Sequence, residues 1–110
     1  MKRWLEIRSY TLKLGTRVEL HRVMQEESLP MLQRWGVDVV RCGPSAHDDD
    51  SYVLMRAYAS LAERQASQDA FYGSDEWRQG PRERVVGKIE HYTSVVLELD
   101  ATVIEGLREN

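Results

Sequence analysis

Cysteine is nearly absent from these 110 residues. The single Cys42 excludes an intrachain disulfide and suits a reducing compartment. No stretch approaches the ~18 apolar residues that a membrane-spanning helix requires. The opening Met-Lys-Arg-Trp-Leu-Glu has the positive charge of a signal peptide, but Glu6 and Arg8 interrupt its apolar part at once. The expected location is therefore the cytoplasm, with no membrane span. Charge of one sign is also scarce. Fifteen basic residues are scattered among 18 acidic ones for a net charge of -3, so no basic stripe marks a nucleic-acid partner. A phosphate-binding glycine loop, a serine nucleophile elbow and a zinc-ligand spacing are all missing. Their absence counts against hydrolases and nucleotide enzymes. There is no low-complexity segment.

What is present is an ordinary folded composition, 42% hydrophobic and 30% charged. Its length fits one domain over residues 1–110, burying roughly two-thirds of the surface exposed by the unfolded chain. Two matching stretches organise it. Residues 4–12 alternate, with Trp4, Glu6, Arg8, Tyr10 and Leu12 on one face; a Gly15 turn follows, then Thr16-Arg-Val-Glu19 as a capping box. Tyr52–Tyr58 alternates in the same way, followed by a second box, Ser60-Leu-Ala-Glu63, and a helix ending at Gly73. The first helix carries Leu20, Met24, Met31 and Trp35 on one face, is kinked at Pro30, and is capped by Gly36. In the second, Ala62, Ala66 and Ala70 form a narrow stripe fitted to close approach to a sheet.

Val37–Cys42 reads as a strand and Gly43–Asp50 as a loop. Ser74 caps a short helical turn, and Val85, Val86, Ile89 and Tyr92 continue a helical pattern beyond Gly80-Pro81. Thr93–Leu99 reads as the last strand, and Ala101–Leu107 as a short terminal helix. The order is β-α-β-β-α-(α)-β. This predicts an α+β, ferredoxin-like split β-α-β fold with an antiparallel four-stranded sheet.

That topology makes the first and third strands central, antiparallel neighbours. Glu6, Arg8 and Tyr10 can then meet Arg56 and Tyr58 across the strands. Two guanidiniums against one carboxylate leave a positive charge suited to a carboxylate or enolate. A structural ion-pair network, or a dimer interface, would use the same residues. Trp77 with Phe71 and Tyr72 forms an aromatic cluster that can wall a ligand pocket or fill a core. His91, read as lying near a helix end, can serve as a base, an axial haem ligand or a partner of the helix dipole. His47 opens a His-Asp-Asp-Asp run, but adjacent loop side chains do not converge on a metal. No metal or cofactor is expected. His21 reads as exposed, Cys42 as a packed thiol, and Arg64 with Glu63 as a solvated helix face.

Trp4-Leu-Glu-Ile-Arg-Ser-Tyr-Thr-Leu-Lys-Leu-Gly15 resembles the opening of NIPSNAP-like proteins, an aromatic before Glu-Leu-Arg-x-Tyr-Thr-Leu-x-x-Gly. Ala57-Tyr-Ala-Ser-Leu-Ala-Glu-Arg64 is similar to the family's Tyr-x-Ser-Leu-x-x-Arg, and Ser74-Asp-Glu-Trp77 to its Asp-Pro-x-Trp. Leu14 and Asp75 stand where the family often has proline, and Arg56 where many members have tryptophan. The resemblance implies a dimeric α/β-barrel: two ferredoxin-like subunits with sheets face to face and helices outside. That wider fold includes cofactor-independent monooxygenases, haem-degrading enzymes and isomerases or dehydratases, while most NIPSNAP-like members have no assigned reaction. The expected partners are a second copy of the chain and a small organic, carboxylate-bearing molecule. A non-catalytic interaction dimer is the alternative. The sheet face expected to meet the second copy carries Tyr52, Leu54 and Tyr58, with Val95, Leu97 and Leu99 of the last strand adding to the apolar area left to cover.

Overall fold

In the computed structural model, which describes residues 1–108, the chain runs β1 (Lys2–Leu12), α1 (Arg17–Val23), a π-helical turn (Met24–Ser28), α2 (Leu29–Arg34), β2 (Asp38–Pro44), β3 (Ser51–Tyr58), α3 (Leu61–Tyr72), α4 (Asp75–Gln79), α5 (Arg82–Val86), β4 (Ile89–Asp100) and α6 (Ala101–Leu107). The strands form one antiparallel sheet in the order β2-β3-β1-β4, the expected ferredoxin-like arrangement. Among the described residues no helix is long and apolar enough to cross a membrane.

The register between the central strands sets the site. Glu6 stands opposite Arg56, Arg8 opposite Leu54, Tyr10 opposite Tyr52, and Trp4 opposite Tyr58. With a side-chain period of two, these residues share one face. Helices α1 to α5 lie over it, and Leu20, Val23, Met24, Met31, Leu32, Tyr52, Leu54, Phe71 and Trp77 make the main core there. Tyr52, Leu54 and Tyr58 are thus buried beneath helices, not laid open for a second copy as the sequence suggested. The open face is the other one. It carries Ile7 opposite Met55 and Val95, and Leu5 opposite Ala57 and Leu97. Helix α6 folds back over one end of it, seating Ile104 on Leu5, Val40 and Ala57.

Left-handed glycines stop the chain where expected, Gly15 at φ 74° and Gly36 at φ 75°. Other local expectations are corrected. Thr16 makes no side-chain cap to α1, since its Oγ1 donates back to the Lys13 carbonyl at 2.7 Å and Glu19 pairs instead with Arg22. Proline 30 sits at the start of α2, and the irregularity precedes it as the π-helical turn, where the Leu29 N–H reaches the Met24 carbonyl. Trp35 is 39% exposed at the end of that face. Ala62, Ala66 and Ala70 face solvent, because α3 meets the sheet through Arg64, Gln68 and Phe71. Beyond Gly87 the chain is extended, so Ile89, His91 and Tyr92 belong to β4 and not to a helix.

Candidate functional site

Glu6 is fully buried at the centre of the helix-covered face. Its Oε1 accepts from Arg56 Nε at 2.9 Å and Nη2 at 2.6 Å; its Oε2 accepts from Arg64 Nε at 2.7 Å and Gln68 Nε2 at 2.5 Å. Burial alone would raise the carboxyl pKa. The Arg56 charge, the Gln68 and Arg56 hydrogen bonds and the nearby Arg8 charge outweigh it, so Glu6 stays ionised below its ordinary range. Arg56 spends its remaining reach on the Tyr72 hydroxyl, 2.8 Å from Nη1. Tyr58 joins through Gln68 Nε2 at 3.2 Å, and burial pushes its phenol up.

Arg8 is held differently. Its Nε donates to Ser94 Oγ at 3.1 Å, Nη1 to Tyr72 at 3.4 Å and Nη2 to Gln68 Oε1 at 3.3 Å, all neutral acceptors and the last two at long range. Glu6 lies 3.6 Å away, already shared with two other guanidiniums. The Tyr92 ring stacks 4.9 Å from the Arg8 guanidinium carbon. Three cations therefore surround one carboxylate, and Arg8 has the weakest share of it. Arg8 also opens onto a cleft of about 910 Å³ between the sheet and the helices. Tyr10, Gln68, Tyr72 and Tyr92 stand beside Arg8 on its wall, Met24, Leu32, Leu54, Phe71, Trp77 and Val85 are among its apolar residues, and Asp69, Arg82 and Glu90 add charge of both signs. Burial, and then the neighbouring Tyr72, push the Tyr10 phenol well above its ordinary value, so it is neutral at physiological pH.

A family model for NIPSNAP matches residues 5–101. The chain belongs to the NIPSNAP family. Solved structures agree on the fold. An uncharacterised NIPSNAP domain protein from Burkholderia xenovorans is 24% identical, with 89% of this chain and 95% of that one covered at a TM-score of 0.77. A NIPSNAP family protein of unknown function from Agrobacterium tumefaciens is 21% identical, covering 88% and 87% at a TM-score of 0.77. A candidate antibiotic biosynthesis monooxygenase from Nitrosomonas europaea is 16% identical, covering 90% and 91% at a TM-score of 0.66. No protein of curated function matches the chain.

The five residues that the two central strands were expected to bring together do meet on one face, but they divide. Glu6, Arg56 and Tyr58 form a buried foundation, whereas Arg8 and Tyr10 reach the cleft. Trp77 lines the cleft while also packing on Phe71 and Tyr72, with ring centroids 5.4 and 5.5 Å away. His91 is an exposed residue on β4 opposite Thr11, at the cleft rim; its expected place near a helix end is overturned. His21 is half-buried rather than exposed, with Nδ1 2.7 Å from the Tyr52 hydroxyl. The Cys42 thiol lies 3.4 Å from that same hydroxyl, within the core. His47 is tied to Ser45 Oγ at 2.7 Å, and among the described residues no three His, Cys, Asp or Glu side chains gather as metal ligands.

Sequence reading missed Gln68, gave Tyr72 only an aromatic role, and took Arg64 for a solvated helix face, whereas Arg64 reaches the buried Glu6. Positions 64, 68 and 72 are four apart on α3 and so share a helical face, a signal visible in the sequence. It was passed over because a polar stripe on a helix ordinarily faces water.

Proposed function

We propose that this NIPSNAP chain binds a small organic acid in the cleft between sheet and helices, with Arg8 as the anchor of the carboxylate. One observation carries the reading: Arg8 lines a large cleft, its nearest carboxylate, Glu6, is held by two other guanidiniums, and its hydrogen bonds go only to neutral acceptors. A ligand carboxylate would replace those with charge-assisted bonds in bidentate geometry. The aromatic and aliphatic wall supports an apolar body behind the acid group. Glu6, Arg56 and Arg64 act behind this surface as the frame that aims Gln68 and Tyr72 at Arg8. If the bound acid is turned over without a cofactor, as the likeness to monooxygenase folds suggests, the cleft groups placed to move a proton are the Tyr10 and Tyr72 hydroxyls. His91, opposite Thr11, stands on the other sheet face. The functional unit is a homodimer joined through the open sheet faces, and the reduced Cys42 fits a cytoplasmic setting.

The test is thermal denaturation against a panel of small carboxylates. A ligand at 100 times its dissociation constant stabilises by ~2.7 kcal/mol. The expected result is stabilisation by an acid that disappears in Arg8→Gln and survives in Arg78→Ala, which removes an exposed charge away from the cleft. Equal stabilisation of Arg8→Gln would overturn the anchor.

A further inference from the structure

The cleft wall contains a polar atom that the fold leaves unanswered. Ser28 is 2% exposed, and its Oγ has no hydrogen-bond partner among the described residues. Buried hydroxyls are almost always paired, and a serine within a helix usually donates to the carbonyl four residues back. Here that carbonyl is Met24's, which in the wide π-helical turn accepts from the Leu29 N–H, and the Ser28 hydroxyl makes no bond to it. Single π turns inside helices recur at functional sites. Ser28 lines the same cleft as Arg8, between Met24 and Leu32, which lie one turn to either side on the same helical face. Arg8 rises from the sheet, whereas Ser28 belongs to the helical layer. The cleft therefore presents the Arg8 cation from the sheet and, between Met24 and Leu32 in the helical layer, an unpaired hydroxyl.

We infer that Ser28 is a specificity-determining residue, whose hydroxyl bonds to a hydroxyl or carbonyl group on the apolar body of the bound acid, remote from its carboxylate. This rests on the reading of the cleft given above and narrows its ligand class. A serine hydroxyl both donates and accepts, and rotation about χ1 re-aims it without moving the helix. Phe71 and Trp77 on the wall suit an aromatic body.

The probes are benzoate, phenylacetate and 3-phenylpropanoate, each compared with its para-hydroxy counterpart by calorimetry on the full chain and on Ser28→Ala. In at least one pair the hydroxylated acid is expected to bind the native chain about three- to tenfold more tightly, the range of one neutral hydrogen bond. That advantage should vanish in Ser28→Ala, while the unsubstituted acids bind both proteins alike. Ser28→Ala without ligand should melt at the same or a higher temperature, since it removes only an unpaired group. Acids that bind through Arg8 with no hydroxyl advantage, or with one that Ser28→Ala retains, overturn the role of Ser28 and leave the anchor standing. A lower melting temperature for unliganded Ser28→Ala also overturns it, because the hydroxyl would then be serving the fold. Binding by none of the acids overturns the reading of the cleft itself, and this inference with it.

Discussion

Arg56 shows how one residue can be indispensable to a site without touching a ligand. It is 1% exposed and holds both Glu6 and Tyr72. Breaking a buried ion pair from one side costs roughly 3–5 kcal/mol, whereas an exposed charge usually matters by about 0.5 kcal/mol or less. Arg56→Ala should therefore unfold at clearly lower urea than Arg78→Ala, and equal midpoints would mean that the frame around Glu6 contributes nothing. The titrations have definite signs. Glu6 has a folded pKa below its ordinary 4.5, so its contribution is complete above that pH and is lost as the pH falls through the folded value. Tyr10 and Tyr58 are raised from 10.0, so theirs is complete below pH 10 and is lost as the pH rises through their folded values. A stability profile should be level between these limits and fall outside both, with the acid limb shallower in Glu6→Gln.

Helix α3 is the element that turns a sheet face into a site. Arg64, Gln68 and Tyr72 come down as one row onto Glu6, Arg8 and Arg56. Little else on α3 is apolar and buried apart from Phe71, so its ends matter. Ser60 Oγ accepts from the Glu63 N–H at 3.0 Å, and Glu63 reaches back to the Ala59 N–H at 2.6 Å. Removing that cap should cost about 1 kcal/mol, or about 4–8 °C of melting temperature in a chain of this size. Ser60→Ala should also weaken acid binding at the cleft, because the row on α3 would no longer be held against Arg8. Melting curves and calorimetry on that variant separate the two effects.

The whole molecule presents an unfinished surface. On the open face Val95 is 55% and Leu97 41% exposed, beside Ile7 and Met55 of the neighbouring strands. A contiguous exposed apolar face on a sheet marks an interaction surface, and a two-fold copy covers it with the same surface. Light scattering should give twice the mass of one chain at micromolar concentration. Val95→Lys should shift it to one chain with a loss of stability, since such an interface resembles a divided core. A stable monomer of the native chain would overturn the dimer while leaving the cleft, which lies on the opposite face, available for ligand.

Local chemistry was legible from the chain because it depends on near neighbours. Gly15 and Gly36 marked left-handed turns, Ser60 and Ser74 marked helix starts, and alternation placed Glu6 with Arg8 and Arg56 with Tyr58 on common strand faces. The order of elements then led to the sheet order, because short connections leave few topologies. Alternation has no sense of inside, however. It could not say whether the Tyr52 face or the Met55 face would lie under helices, and the polar row on α3 decided that by giving Glu6 and Arg56 their partners. The continuation of a helix through Ile89 to Tyr92 was an ambiguity of short apolar spacings, resolved when β4 paired with β1 along its full length. The orphaned hydroxyl of Ser28 and the weak hold on Arg8 exist only in three dimensions. Each is defined by which partners the packed helices bring within reach and which they withhold.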